Sequence, residues 1–227
     1  RQAQAKMEKA KQARNQELKR RQQRTQDEVS QIWDNGVEAN GEHPYLKRKQ
    51  VAAHGTRVNN DGRLMIPIYN SAHQLSSIQY ISSSGEKQYH PGGKVSGGFH
   101  TLGMPTDTIY IAEGFATAAT IREFTDSMVV VAFSANGLPV VTGILREALG
   151  AQQRLVIVAD NDSGGIGRAK ADQAAAQHGA HIVMPPELGD ANDWHLAGND
   201  LGDILTIKVD DYLIPALEYS EKPAPLA

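Results

Sequence analysis

The sequence predicts an α/β protein built on a mostly parallel four-stranded sheet with helices on both faces. From residue 108 onward, short Val- and Ile-rich runs alternate with helical stretches, which is typical of buried strands joined by helical crossovers. The 227 residues include no Cys, which excludes disulfides, zinc ribbons and thiol catalysis. No apolar run approaches the ~18 residues of a membrane span, so we expect none.

Residues 1–40 are predicted to form a charged N-terminal helix and linker. Residues 1–33 are rich in Gln, Ala, Lys and Arg and contain no Gly or Pro, which favours a helix with little apolar surface to bury. Two interpretations stay open, a solvated helix and a nucleic-acid-binding helix. The chain begins with Arg and shows no apolar signal-peptide region, so we expect a fragment of a longer cytoplasmic protein.

Residues 41–103 are predicted to form a small, basic, β-rich subdomain. Strand-like runs at 64–69, 75–81 and 86–90 are separated by turn residues. Residues 1–100 carry 16 Lys and Arg against nine Asp and Glu, whereas the rest of the chain carries seven against 17. This asymmetry suits a protein that binds a polyanion and divalent cations, although chance surface composition explains the charge alone equally well.

Residues 104–200 are predicted to form the parallel-sheet domain, and residues 201–227 a C-terminal helix and tail. The strands are predicted at 108–112, 128–133, 155–159 and 181–184, and the intervening helices at 115–124, 138–149 and 167–178.

Acidic side chains follow the predicted strands where such sheets bind ligands, beyond the carboxyl ends. Glu113 follows the first strand, Asp160 and Asp162 follow the third, and a later loop holds Asp190 and Asp193. Two like charges ~4 Å apart repel by ~4 kcal/mol at an effective dielectric of ~20, so the cluster needs a cation. Oxygen ligands favour Mg²⁺ or Mn²⁺. A helix-capping loop is the alternative for residues 160–162, but it does not explain Glu113.

These residues resemble a known family. Glu-Gly-Phe-Ala-Thr-Ala at 113–118 looks like the EGYATA motif of phage and plasmid primases, with Phe where Tyr is usual. Together with Asp-Asn-Asp at 160–162 it resembles the TOPRIM domain of bacterial-type primases, type IA and II topoisomerases and some nucleases. Residues 190–194 are similar to the acidic-Asn-Asp loop of phage-type members. Residues 62–68 and 87–89 look like the basic half of the bacterial primase core.

The resemblance implies the catalytic core of a DNA primase, a nucleotidyltransferase that makes short RNA primers on single-stranded DNA in phage or plasmid replication. It implies that Asp160 and Asp162 bind Mg²⁺ or Mn²⁺, that Glu113 is a metal ligand or general base, and that Asp190 and Asp193 assist a second ion. No zinc is expected in this fragment. The residues expected to bind nucleic acid or nucleotide are Arg63, Lys87, Lys94, Arg168 and Lys170.

The expected partners are a single-stranded DNA template, ribonucleoside triphosphates and a replicative helicase, in the cytoplasm and away from membranes. Two other functions remain open: a TOPRIM nuclease that uses the same metals, and a non-catalytic TOPRIM module that only binds nucleic acid. For each basic residue, a plain surface charge is the alternative.

Overall fold

Two β-sheets dominate the computed structural model, which describes residues 2–205. The first sheet is antiparallel and follows chain order. Its strands are β1 (Val37–Glu38), β2 (Arg57–Val58), β3 (Leu64–Tyr69), β4 (Leu75–Ile81) and β5 (Lys87–Tyr89), with a short helix α2 (Pro44–Lys49) between β1 and β2. The two longer strands lie where the sequence predicts them. The two-residue strands β1 and β2 were not predicted, because two residues cannot show an alternating pattern.

The second sheet has five strands in the order β10-β9-β7-β8-β6. The four predicted strands are β7 (Thr108–Ala112), β8 (Met128–Val131), β9 (Arg154–Val158) and β10 (His181–Val183), and all are parallel. The α/β class is therefore confirmed, but the count of four strands was wrong. β6 (His100–Leu102) adds an antiparallel edge beside β8. Its three residues are too few to be recognised as a strand in the stretch assigned to the basic subdomain.

Alternating side chains of the second sheet face two different layers, as the prediction of helices on both faces requires. Ile109 and Ile111 of β7 face the layer formed by α4 (Gly137–Leu149) and α5 (Ile166–His178). Tyr110 and Ala112 face the other layer, where α3 (Phe115–Thr125) packs together with the first sheet. The two sheets therefore share one core, which holds them side by side.

Helix α1 (Gln2–Asp34) covers the outer face of the first sheet with its last turns only. Val29 is fully buried against Met65, Ile78 and Tyr80. Further towards the N-terminus, Leu18 is 53% exposed, so most of the helix is solvated.

The chain continues after β10 into α6 (Ala191–Leu196) and α7 (Gly202–Leu205). The rest of the helix and tail predicted at 201–227 lies outside the described residues. Among residues 2–205, no helix combines the length and apolar character needed to cross a bilayer.

Candidate active site

Glu113 and Asp160 lie just beyond the ends of two neighbouring parallel strands. β7 and β9 pair in register, with Ala112 opposite Val158. Burial raises the pKa of the Glu113 carboxylate. A hydrogen bond from the backbone N–H of Asp160 to this carboxylate partly opposes the rise. Two carboxylates that are 47 positions apart in the sequence therefore meet at one edge of the sheet.

Both of these carboxylates keep an oxygen that is buried without a hydrogen-bond partner. Within residues 2–205, these oxygens are Glu113 Oε1 and Asp160 Oδ1. Burial raises the pKa of Asp160 to about 7, and the negative charges of Glu113 and Asp190 add to that rise. An unsatisfied buried acceptor costs roughly 1–3 kcal/mol, and more when it is charged. The pair is therefore unfavourable unless a cation or a proton joins it.

Lys87 is the predicted basic residue that reaches this pair. It lies on β5 opposite Ile81, so its side chain is on the face of the first sheet that packs against the second. A Cβ atom added at Gly114 would lie 3.5 Å from Lys87 Nζ. The Lys87 charge lowers the pKa values of both Glu113 and Asp160, against the stronger effect of burial. The first sheet thus supplies a cation to the acidic edge of the second.

Asp162 is exposed and is hydrogen-bonded by the start of α5. It accepts N–H groups from Gly164 at 2.9 Å and Gly167 at 2.7 Å, and these backbone bonds hold its pKa below the usual value, with Gly167 contributing most. Asp162 therefore accepts the first N–H groups of α5, although the N-cap residue of that helix is Gly165.

Gly167 lies at the point where the side chains of Asp162 and Glu113 approach each other. A Cβ atom there would lie 2.9 Å from Glu113 Oε1, 3.1 Å from Asp162 Oδ2 and 2.7 Å from the Asp160 carbonyl oxygen. Three oxygens thus surround a position that only glycine leaves open.

Asp190 and Asp193 form a capping box at the start of α6. The Asp193 N–H donates to Asp190 Oδ1 at 2.9 Å, and Lys49 Nζ contacts Asp193 Oδ1 at 2.8 Å. Burial alone would raise the pKa of Asp193, but the hydrogen bond and charge of Lys49 bring it below its usual value. Both carboxylates therefore have partners within the chain.

Sequence reasoning missed Lys49 and the function of Asn192. Asn192 is fully buried, and its Nδ2 donates to the Lys49 carbonyl and to Thr120 Oγ1, both at 2.8 Å. These bonds join α2, α3 and α6. The only signal in the sequence was the position of Asn192 inside the quoted acidic-Asn-Asp loop.

The other predicted basic residues are not brought to the carboxylates. Arg63 stacks on Tyr80, 4.5 Å from the ring centre, on the outer face of the first sheet. Lys94 lies between α1 and the first sheet. Arg168 and Lys170 contact Asp172 and Gln173 along their own helix, at 2.9 and 3.3 Å.

Four of the five predicted carboxylates line one open cleft of about 410 Å³, named here the acidic cleft. They are Asp160, Asp162, Asp190 and Asp193. The donor set and the unpartnered oxygens of Glu113 and Asp160 fit a hard divalent cation such as Mg²⁺. In residues 2–205, no three His, Asp or Glu side chains are already grouped around one point. An ion would therefore complete its shell with water or phosphate oxygens, as Mg²⁺ commonly does.

The chain resembles known proteins in sequence. The family model described as Toprim domain matches residues 108–200. DNA primase TraC of Escherichia coli is 31% identical over 159 residues, which cover 63% of this chain and 15% of TraC. The chain thus spans only a small part of the length of this curated relative.

Solved structures show the same fold. The primase fragment of the bacteriophage T7 primase-helicase protein aligns with a TM-score of 0.54 and 19% identity, over 73% of this chain and 76% of that chain. The DnaG catalytic core aligns with a TM-score of 0.53 and 10% identity, over 81% and 76%. The Toprim domain predicted from the motifs is confirmed for residues 108–200, and the chain shares its fold with these two primase structures.

Proposed function

We propose that this chain is the catalytic core of a DNA primase, which joins ribonucleotides into short RNA primers on a single-stranded DNA template with Mg²⁺ or Mn²⁺. The observation that carries the proposal is a pair of buried oxygens, one each on Glu113 and Asp160, that have no hydrogen-bond partner within residues 2–205 and lie at the ends of adjacent strands. The relative at 31% identity is named a DNA primase. A structure with a TM-score of 0.53 to this chain contains bacteriophage T7 lagging-strand DNA polymerase, two primase domains, an RNA/DNA hybrid and dTTP.

The proposed reaction forms one phosphodiester bond. The primer 3′-hydroxyl oxygen attacks the α-phosphorus of a ribonucleoside triphosphate, pyrophosphate leaves, and the hydroxyl proton passes to a base. A divalent cation bound at the acidic cleft would neutralise the negative charge on the phosphate oxygens. We assign Glu113, Asp160 and Asp162 to hold that ion, with Asp190 and Asp193 assisting a second.

The alternative role of Glu113, instead of holding the ion, is to receive this proton. Burial raises its pKa, and a base whose pKa is closer to neutrality transfers protons more efficiently. Lys87 stands beside the same carboxylates and keeps them ionised more readily at neutral pH. We propose that its ammonium group, a compact cation, contacts the phosphates of the nucleotide.

The remaining basic residues have weaker support. Arg168 and Lys170 are proposed nucleotide contacts, because α5 starts at the Asp162 loop. Arg63 lies on the opposite face of the first sheet and is proposed only as a template contact outside the acidic cleft. A replicative helicase is the proposed protein partner, and the cytoplasm, where replicating DNA is found, the proposed compartment.

One incubation distinguishes the candidate functions. The chain is mixed with single-stranded DNA, ribonucleoside triphosphates and either Mg²⁺ or Mn²⁺, and the products are separated by size. New oligoribonucleotides are the expected result. Shortened DNA would instead indicate a nuclease, and DNA binding without either product a non-catalytic module; both would contradict the proposal.

Matched variants connect that activity to the acidic cleft. Glu113→Gln and Asp160→Asn should both abolish synthesis, because each removes a carboxylate with one buried oxygen that has no hydrogen-bond partner within residues 2–205. Asp126→Asn is the control, since Asp126 is a carboxylate at the end of α3 that is 94% exposed and pairs with Arg122. Full activity of Glu113→Gln or Asp160→Asn would refute the assignment.

A further inference from the structure

A second cleft lies on the outer face of the first sheet, where α1 crosses β4. It has a volume of about 350 Å³ and is named here the outer cleft. Helix α1 covers the face that contains Met65 and Ile78, whereas the opposite face packs against the second sheet. The outer cleft is therefore separated from the acidic cleft by the thickness of the first sheet. Its polar lining includes Lys19, Gln22 and Gln26 of α1 and Gln74, Ser76 and Lys94 of the sheet side.

The lining of the outer cleft is cationic. It contains two lysines and no Asp or Glu. Within residues 2–205, neither Lys19 nor Lys94 forms an ion pair. Their ammonium groups are thus available to an external anion.

The helix that forms one wall extends this positive charge. Residues 2–24 contain eight Lys and Arg against two Glu. In the described part of the chain, none of these eight basic side chains is ion-paired. A run of unpaired cations on a solvated helix fits a polymer of negative charges better than a single small anion.

The neutral side chains of the outer cleft favour a single strand over a duplex. Gln22 and Gln26 each carry both a donor and an acceptor, and neither forms a side-chain hydrogen bond in residues 2–205. Amides of this kind pair with the Watson–Crick edges of bases, which a duplex hides and an unpaired strand exposes.

We propose that the outer cleft binds single-stranded nucleic acid, with Lys19 and Lys94 each contacting a backbone phosphate. This proposal rests on the proposed function in one respect: the bound strand is identified as the template of the primase. It assigns that strand a contact on the far side of the first sheet. In this arrangement α1 holds a segment of the template that is remote from the carboxylates.

The test measures binding without catalysis. The full chain is titrated into fluorescent oligo(dT) of about 30 nucleotides in EDTA, and anisotropy is followed over a range of salt concentrations. Lys19→Gln and Lys94→Gln should each raise Kd about five-fold near 0.1 M salt and reduce the slope of log K against log salt by about 0.7; the double variant should raise Kd about 25-fold.

Lys47→Gln is the matched control. Lys47 is an exposed lysine of α2 that pairs with Glu42 and lines neither cleft, and its removal changes the net charge equally. Its Kd should change less than about two-fold. Equal losses in all three single variants, or none in Lys19→Gln and Lys94→Gln, would overturn the proposal. Equally tight binding of a duplex, with the same dependence on both lysines, would overturn the single-strand assignment.

A second readout locates the strand without removing charge. Because the chain has no Cys, Gln22→Cys can carry a single fluorophore in the outer cleft. Oligo(dT) and oligo(U) should change its emission with the Kd found by anisotropy, and a Lys47→Cys label should not respond. No response at position 22 would contradict the proposal.

The outcomes remain separate from those of the primer assay. Binding that depends on the outer cleft, in a chain that makes no primers, would reject the primase and leave this inference standing. Primer synthesis with binding that is insensitive to Lys19 and Lys94 would reject this inference alone.

Discussion

The carboxylates around the acidic cleft fall into two groups. Glu113 and Asp160 follow strands, each has one buried oxygen without a partner in residues 2–205, and burial raises the pKa of each. Asp162, Asp190 and Asp193 begin helices, and every one accepts hydrogen bonds from the chain. The same side-chain chemistry therefore has opposite consequences in the two groups, because the second group accepts free N–H groups at the starts of α5 and α6, whereas one buried oxygen of each member of the first group has no partner in residues 2–205.

This difference shows which carboxylates the fold leaves available. The helix-starting group stabilises the loops around the acidic cleft, whereas the strand-ending pair costs stability until a cation arrives. Structural features that lower stability commonly persist at sites where activity depends on them.

The largest expected effect is on activity. Asp160→Asn and Glu113→Gln should reduce primer synthesis by about 10²–10³-fold or more, the range found when one group that stabilises transition-state charge is lost. The rate of oligoribonucleotide formation at saturating metal measures it. Loss of less than about ten-fold in both variants would remove the distinction between the two groups.

The second effect is a gain in stability from one of those variants. The pKa of Asp160 is about 7 in the folded chain, well above its ordinary value of 3.8, so the stability of the metal-free protein should fall as pH rises from about 4 to 7. Asp160→Asn removes this penalty and should raise the free energy of unfolding by about 2–4 kcal/mol near pH 8 in EDTA. Urea unfolding near pH 5 and pH 8 measures the change.

Asp162→Asn is the matched comparison for that experiment. Its carboxylate accepts N–H groups at the start of α5, which hold its pKa low, so the variant should destabilise the chain instead. If Asp160→Asn and Asp162→Asn shifted stability in the same direction, the proposed contrast would be wrong.

The third effect has the opposite dependence on pH. His100 on β6 is buried with both ring nitrogens unpartnered within residues 2–205, and burial lowers its pKa to about 4. Stability should therefore be lost as pH falls from about 6.5 to 4, because the unfolded chain takes up the proton. Near pH 5 the wild-type free energy of unfolding should be lowered by about 2 kcal/mol through this effect, and His100→Leu should remove that decrease. If the free energy of unfolding depended on pH in the same way in the wild type and in the variant, this prediction for His100 would be contradicted.

The smallest effect concerns Lys49. Lys49→Met breaks the ion pair with Asp193, in which the lysine is only 22% exposed, and should lower the free energy of unfolding by about 0.5–1 kcal/mol. Lys47→Met breaks the more exposed pair with Glu42 and should change stability less. Equal losses would mean that the Lys49 pair does not hold the α6 loop in place.

Much of this arrangement was predictable from the sequence. Continuous Val and Ile runs located all four parallel strands, and the position of acidic residues after them located Glu113 and Asp160 at one edge. The strand β6 was missed because three residues are too few to show an alternating pattern of apolar side chains.

The division of the carboxylates could not be predicted, because it depends on the direction of backbone N–H groups. Asp160 and Asp162 are two positions apart in one motif, yet only Asp162 meets the first turn of α5. The contact between Lys49 and Asp193 spans 144 positions, and no local pattern indicates it. Lys87 was predicted as a phosphate contact, but its position beside the carboxylates depends on how the two sheets pack.

The most direct test is calorimetric titration of Mn²⁺ into the chain at about pH 7, repeated in buffers of different ionisation enthalpy. Because the pKa of Asp160 is about 7, ion binding should release roughly half a proton, and Asp160→Asn should abolish both that release and most of the affinity. Unchanged Mn²⁺ affinity in Asp160→Asn, or binding without proton release in the wild type, would contradict the assignment of this carboxylate pair to the metal.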